Sequence, residues 1–142
     1  MIVYADTSAL VKLFVREENS DATRKMLQGA QVLGTGLLTR AELGSALARG
    51  AQNGYLAPEE ALEAKSRLDV VWGSWVHIVM DEALVSRAEQ MAWEYGLMGV
   101  DSVHLAAAQV WHEEMGHRVV LATFDRELWK AAELAGLEAW PE

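Results

Sequence analysis

In the stretch IVYADTSALVKLF, residues 2 to 14, an apolar run typical of a buried strand ends on an aspartate, Asp6, before a second apolar pattern with helical spacing begins. Three more acids stand at comparable junctions. Asp125 follows the apolar run VVLAT, Glu42 falls in the first turn expected for the helix after the second strand, and Asp101 precedes another helical pattern. Each also has a structural reading: Asp6, Asp101 and Asp125 stand where helix N-caps belong, and Thr39 with Glu42 spells a T-x-x-E capping box. Four carboxylates converging on one crevice would repel one another and raise each other's pKa unless a cation lay between them. Hard oxygen donors, without cysteine or a His-x-x-x-His pair, suit Mg²⁺ or Mn²⁺ better than zinc.

Strands and helices in alternation must position these acids. Residues 2–5 predict a buried strand, and Leu10, Leu13 and Phe14 lie on one helix face. Ser20 is read as the N-cap of a helix over 21–29, followed by a short strand at 31–35. A long helix from Thr39 closes at Asn53 and Gly54. Pro58 opens the next with an acid-rich first turn. Residues 75–80 form a short strand, and Asp81 caps a helix running to Tyr95. Asp101 caps the following helix. A strand at 118–123, a helix closed by Gly136 and a last short strand at 137–140 complete the pattern. It predicts an α/β fold, a three-layer α/β/α sandwich around a mostly parallel sheet. In such sheets ligands bind beyond the carboxyl ends of the strands, near the point where strand order reverses.

The 142 residues, 51% of them hydrophobic, suffice for one core, and no linker or repeat divides them, so residues 1–142 are read as a single domain. There are no cysteines, which excludes disulfides, thiolate catalysis and cysteine-held metals. No basic segment or long apolar span precedes Ile2, so neither a signal peptide nor a membrane helix is expected, and a cytoplasmic location is. A net charge of −9 argues against adhesion to nucleic acid through a broad basic surface. It leaves open a metal site, where a divalent cation reverses the local sign. Lys12, Arg16, Arg40 and Arg49 are the cations expected near the crevice.

ADTSALVKLF with Asp6, TRAELGSAL with Glu42, VDSVHLAAA with Asp101 and LATFD with Asp125 together resemble the ordered acidic motifs of the PIN domain, particularly the VapC-like toxin ribonucleases. The resemblance spans nearly the whole chain. It implies a divalent-metal-dependent endoribonuclease using Mg²⁺ or Mn²⁺, the toxin of a type II toxin–antitoxin pair, dimeric and restrained by a VapB-like antitoxin. Asp6, Glu42, Asp101 and Asp125 would form the catalytic and metal-binding set, with Ser8 and Thr123 as supporting polar groups. The chain departs from the pattern at Met98, where many such sequences carry arginine.

His104, three residues after Asp101, shares its helix face and could reach the same metal, although HLAAA reads as the inward stripe of a packed helix and favours a structural hydrogen bond. His77, His112 and His117 show no ligand spacing. Trp72, Trp75, Trp93, Trp111, Trp129 and Trp140 mostly fall in apolar patterns, as core or interface residues rather than base-stacking surfaces. No phosphate-cradling glycine motif and no nucleophile elbow is present. Two other classes remain: a non-catalytic PIN-like module that binds RNA or protein, and an aspartate-based phosphohydrolase, whose usual D-x-D has Ser8 in place of its second acid.

Overall fold

The computed structural model describes residues 1–142. Its strands are β1 (Ile2–Ala5), β2 (Val32–Gly36), β3 (Val76–Ile78), β4 (Val119–Ala122) and β5 (Glu138–Trp140), joined in one sheet of order β3-β2-β1-β4-β5. Every pairing is parallel, with Ile2 opposite both Val32 and Val119. The chain builds outward from β1 to β3, then crosses back to place β4 on the other side of β1. The strand order therefore reverses between β1 and β4, and their carboxyl ends open the crevice that such a reversal creates.

Alternation along β1 assigns its side chains to two cores. Tyr4 joins Leu84, Leu105, Trp111, Leu121 and Leu128 on one face, whereas Val3 and Ala5 join Leu10, Leu43, Leu47, Leu68 and Trp72 on the other. The first face is covered by α5 (Glu82–Tyr95), α6 (Gly99–Met115) and α7 (Arg126–Leu134). The second is covered by α1 (Thr7–Leu10) with its 3-10 continuation Val11–Leu13, α2 (Ser20–Gln28), α3 (Thr39–Gln52) and α4 (Pro58–Val71). This is the three-layer sandwich expected from the alternation of strands and helices. No helix is long and apolar enough to cross a membrane.

Three predicted caps are corrected. Ser20 is the first residue of α2, where its hydroxyl accepts from the Glu17 amide and donates to the Val15 carbonyl. The cap position belongs to Asn19, in the left-handed conformation. Asp101 caps nothing: α6 begins two residues earlier, after the extended Met98, so Asp101 sits inside the first turn, where the positive end of the helix still favours an acid. Thr39 and Glu42 form no capping box, because Thr39 is already helical and both side chains are engaged elsewhere in the fold. Asp6, Asp81 and Asp125 do cap, accepting from the amides of Ala9, Leu84 and Leu128.

Candidate active site at the carboxyl edge of the sheet

Asp6 is the residue at which β1 becomes α1. Its amide donates to the Ala122 carbonyl at 3.1 Å, which fixes it beside the end of β4. Asp6 is 4% exposed, and its side chain is held from three directions. Oδ1 accepts from the Ser8 hydroxyl at 2.7 Å and the Ala9 amide at 3.0 Å, and Oδ2 accepts from the Thr123 hydroxyl at 2.6 Å. The two hydroxyls also tie down the β4–α7 loop, since Thr123 Oγ1 accepts from the Asp125 amide and Ser8 Oγ from the Phe124 amide. Asp6 and Asp125 are thus brought together through Ser8 and Thr123.

Asp125 turns the chain into α7 and spends only Oδ1 on its cap. Glu42, in the first turn of α3, is half-buried, and one oxygen takes both its side-chain hydrogen bonds: Oε1 accepts from Thr7 Oγ1 at 2.8 Å and bonds His104 Nε2 at 2.7 Å. Asp101 makes no side-chain hydrogen bond in the fold. Counting lone pairs, one position remains on Asp6 Oδ2, Oε2 of Glu42 and Oδ2 of Asp125 are unengaged, and both oxygens of Asp101 are.

The charges of the other three acids reach Asp101. The Asp101 carboxyl is raised by burial and by the neighbouring charges of Asp125, Asp6 and Glu42, only partly opposed by His104. Asp6 is raised because burial outweighs His104 and its three hydrogen bonds. Burial alone would raise Glu42, but the hydrogen bonds from His104 and from the Thr7 hydroxyl hold it below the usual range. The cations expected nearby are largely spent. Lys12 is buried against Glu17 at 2.8 Å and lies over the Phe124 ring, Arg40 pairs with Asp69 at 2.7 Å, and Arg16 stands at the surface near Asp21.

No three Asp, Glu or His side chains converge closely enough to enclose an ion by themselves. Mg²⁺ does not need such a cage, because it keeps several waters and takes one or two carboxylates directly. Unengaged oxygens on four acids, with the charges of three of them bearing on Asp101, fit a hydrated hard cation of this kind. His104 does not fit as a ligand, since both ring nitrogens are occupied, one by Tyr4 and one by Glu42. It takes the structural hydrogen bond that its place on a packed helix favours. Sequence reasoning missed Tyr4 and Thr7. The signal for Tyr4 was available: a tyrosine in a buried strand must find a partner for its hydroxyl.

Comparison with known proteins assigns the class. The PIN domain model matches residues 3–134, and the chain belongs to the PIN domain family. Within that family it is 31% identical over 135 residues to Ribonuclease VapC46 of Mycobacterium tuberculosis strain H37Rv, covering 95% of this chain and 93% of that protein. PAE2754 from Pyrobaculum aerophilum superposes with a TM-score of 0.66 at 26% identity, covering 98% of this chain and 89% of that one. A toxin–antitoxin complex from Klebsiella pneumoniae shares the fold, with a TM-score of 0.63 at 19% identity, 88% of this chain and 87% of that one being covered.

Proposed function

We propose that this chain is a divalent-metal-dependent endoribonuclease, the toxin of a type II toxin–antitoxin pair, acting in the cytoplasm as a homodimer restrained by a VapB-like antitoxin. The observation that carries the reading is the set of four acids at the β1/β4 reversal, each with at least one oxygen the fold leaves free to accept. Membership of the PIN family, and likeness to a relative named a ribonuclease and to a neighbour described as part of a toxin–antitoxin complex, support the substrate and partner.

Asp101 and Asp6 would hold the metal, Asp101 because nothing in the fold competes for it and Asp6 because its one remaining lone pair is rigidly aimed by Ser8, Thr123 and Ala9. Glu42 and Asp125 would complete the second position or orient the attacking water through their outer oxygens. Mg²⁺ or Mn²⁺ bound there supplies a water of lowered pKa and offsets charge on the phosphorus-centred transition state. Water adds at phosphorus, the bond to the 3′ oxygen breaks, and the products carry a 5′-phosphate and a 3′-hydroxyl.

A pocket of about 420 Å³ beside Asp125, lined by Phe124, Arg126, Trp129 and Lys130, offers cations and ring faces for the strand flanking the cut. The Trp129 indole is fixed by donating to the Pro141 carbonyl at 2.8 Å.

Cleavage of total cellular RNA tests the reading, with Mn²⁺, with chelator, and with Asp101→Asn purified identically. Discrete cuts that need the metal and vanish in the variant are expected. Absence of cleavage, or equal cleavage by both proteins, would favour a binding module instead.

A further inference from the structure

Behind the candidate site runs a chain of hydrogen bonds that begins in the core. The Gly36 amide donates to Tyr4 Oη at 3.1 Å, Tyr4 Oη meets His104 Nδ1 at 2.8 Å, and His104 Nε2 meets Glu42 Oε1 at 2.7 Å. Tyr4 is fully buried and His104 is 2% exposed, so neither can turn to water for a partner. Glycine at 36 permits the approach: a Cβ there would stand 2.9 Å from Tyr4 Oη and collide with the Met80 methyl.

Donor and acceptor counting fixes the direction. Tyr4 Oη already accepts the Gly36 N–H and has one proton to give, and the acceptor within reach is His104 Nδ1. Were Nδ1 protonated, two donors would face each other and the tyrosine proton would be buried without a partner, at the full desolvation cost of that group. Nδ1 is therefore the acceptor, Nε2 carries the proton, and the imidazole donates to Glu42. Thr7 donates to the same carboxylate oxygen at 2.8 Å. With Oε1 filled from two sides, Glu42 has one orientation and presents Oε2.

We propose that Tyr4 and His104 are positioning residues for Glu42: the buried tyrosine sets the imidazole tautomer, and the imidazole pins one carboxylate oxygen so that the other faces the divalent cation. The role rests on the metal-dependent reading above. It explains why a strand core carries a tyrosine where phenylalanine would bury equal apolar area. A histidine whose second nitrogen is fixed by an outer partner is a recurring way to orient a group at a metal, and loss of such a partner typically costs about 10–100-fold in metal affinity.

The test is Mn²⁺ binding followed by the free-ion electron paramagnetic signal, on the full chain and on Tyr4→Phe, His104→Gln, His104→Asn and Glu42→Gln, with the ¹⁵N spectrum of His104 recorded in parallel. Wild type should show His104 protonated at Nε2. Tyr4→Phe should lose that tautomer preference and bind Mn²⁺ about tenfold or more weakly. His104→Gln, whose amide can stand in for Nε2–H, should bind more tightly than His104→Asn, a contrast that remains readable if Tyr4→Phe fails to fold. A wild-type imidazole protonated at Nδ1, a folded Tyr4→Phe with wild-type affinity, or equal affinity in the two His104 variants overturns the proposal. If Glu42→Gln weakens binding while Tyr4→Phe does not, the relay alone is wrong. If wild type binds no Mn²⁺, or Glu42→Gln binds as wild type does, the assignment of Glu42 to a metal falls with it.

Discussion

Asp6 and Asp81 occupy nearly the same local structure and differ in everything else. Both follow a strand, both are extended, with φ near −80° and ψ near 180°, and both accept from the amide three residues on to cap a helix. Asp81 lies beyond β3 at the edge of the sheet, is exposed, and accepts nothing beyond its cap. Asp6 lies beyond the central β1, is buried, and is clamped by hydroxyls from α1 and from the end of β4. The cap motif does not distinguish the two aspartates. Strand order does, because at the reversal between β1 and β4 a second strand end brings its own acid and hydroxyl alongside.

Removing one charge from each region sharpens the contrast most. Asp101→Asn should lower metal-dependent cleavage by more than about 100-fold, since it removes a proposed direct ligand, whereas changes behind metal sites already cost about 10–100-fold. Asp81→Asn should leave activity within about twofold and stability within a few tenths of a kcal/mol, because asparagine caps as well as aspartate. Cleavage time courses on the two purified variants measure this, and a large loss in both would erase the distinction.

Thr123→Val asks whether the clamp matters. It takes a donor from Asp6 and an acceptor from the Asp125 amide while keeping side-chain volume, so about tenfold lower activity is expected. Leaving those buried groups unpaired should cost about 1–3 kcal/mol in urea unfolding. Unchanged activity at that stability cost would make the clamp structural only.

The smallest effect concerns metal-free stability against pH. Asp6 and Asp101 are raised on folding, so the folded state binds these protons more tightly than the unfolded chain, and their contribution declines as pH rises from 3.8 through their higher folded values. Glu42 acts oppositely, contributing stability above 4.5 that is lost as pH falls through its lowered folded value. Asp101→Asn removes one penalty. Without metal it should melt at or above the wild-type temperature at neutral pH, with the difference shrinking toward pH 4. A metal-free variant less stable than wild type at neutral pH would show that Asp101 is not electrostatically strained.

Much of this edge was legible in the sequence. An apolar run ending on Asp6, and a second ending near Asp125, marked strand ends, and a parallel sheet puts such ends on one side. The caps of Asp6, Asp81 and Asp125 were legible for the same reason. The Thr39–Glu42 box and the Asp101 cap were not, because a cap depends on where the backbone enters the helix, and α3 and α6 each start before the residue their side-chain patterns suggested. The link from Tyr4 to His104 spans 100 positions and exists only once β1 and α6 pack together. Composition gave the net charge but not its pairing, so Lys12 and Arg40 looked available although Glu17 and Asp69 neutralise them.

The most direct test of the central claim is to locate Mn²⁺ by its paramagnetic broadening of backbone amide signals at substoichiometric metal. Losses centred on Asp6, Ser8, Asp101 and Asp125 are expected, with the amides around Asp81 unaffected and the pattern abolished in Asp101→Asn. Broadening spread over the many surface acids, or centred at the β3 end, would contradict it.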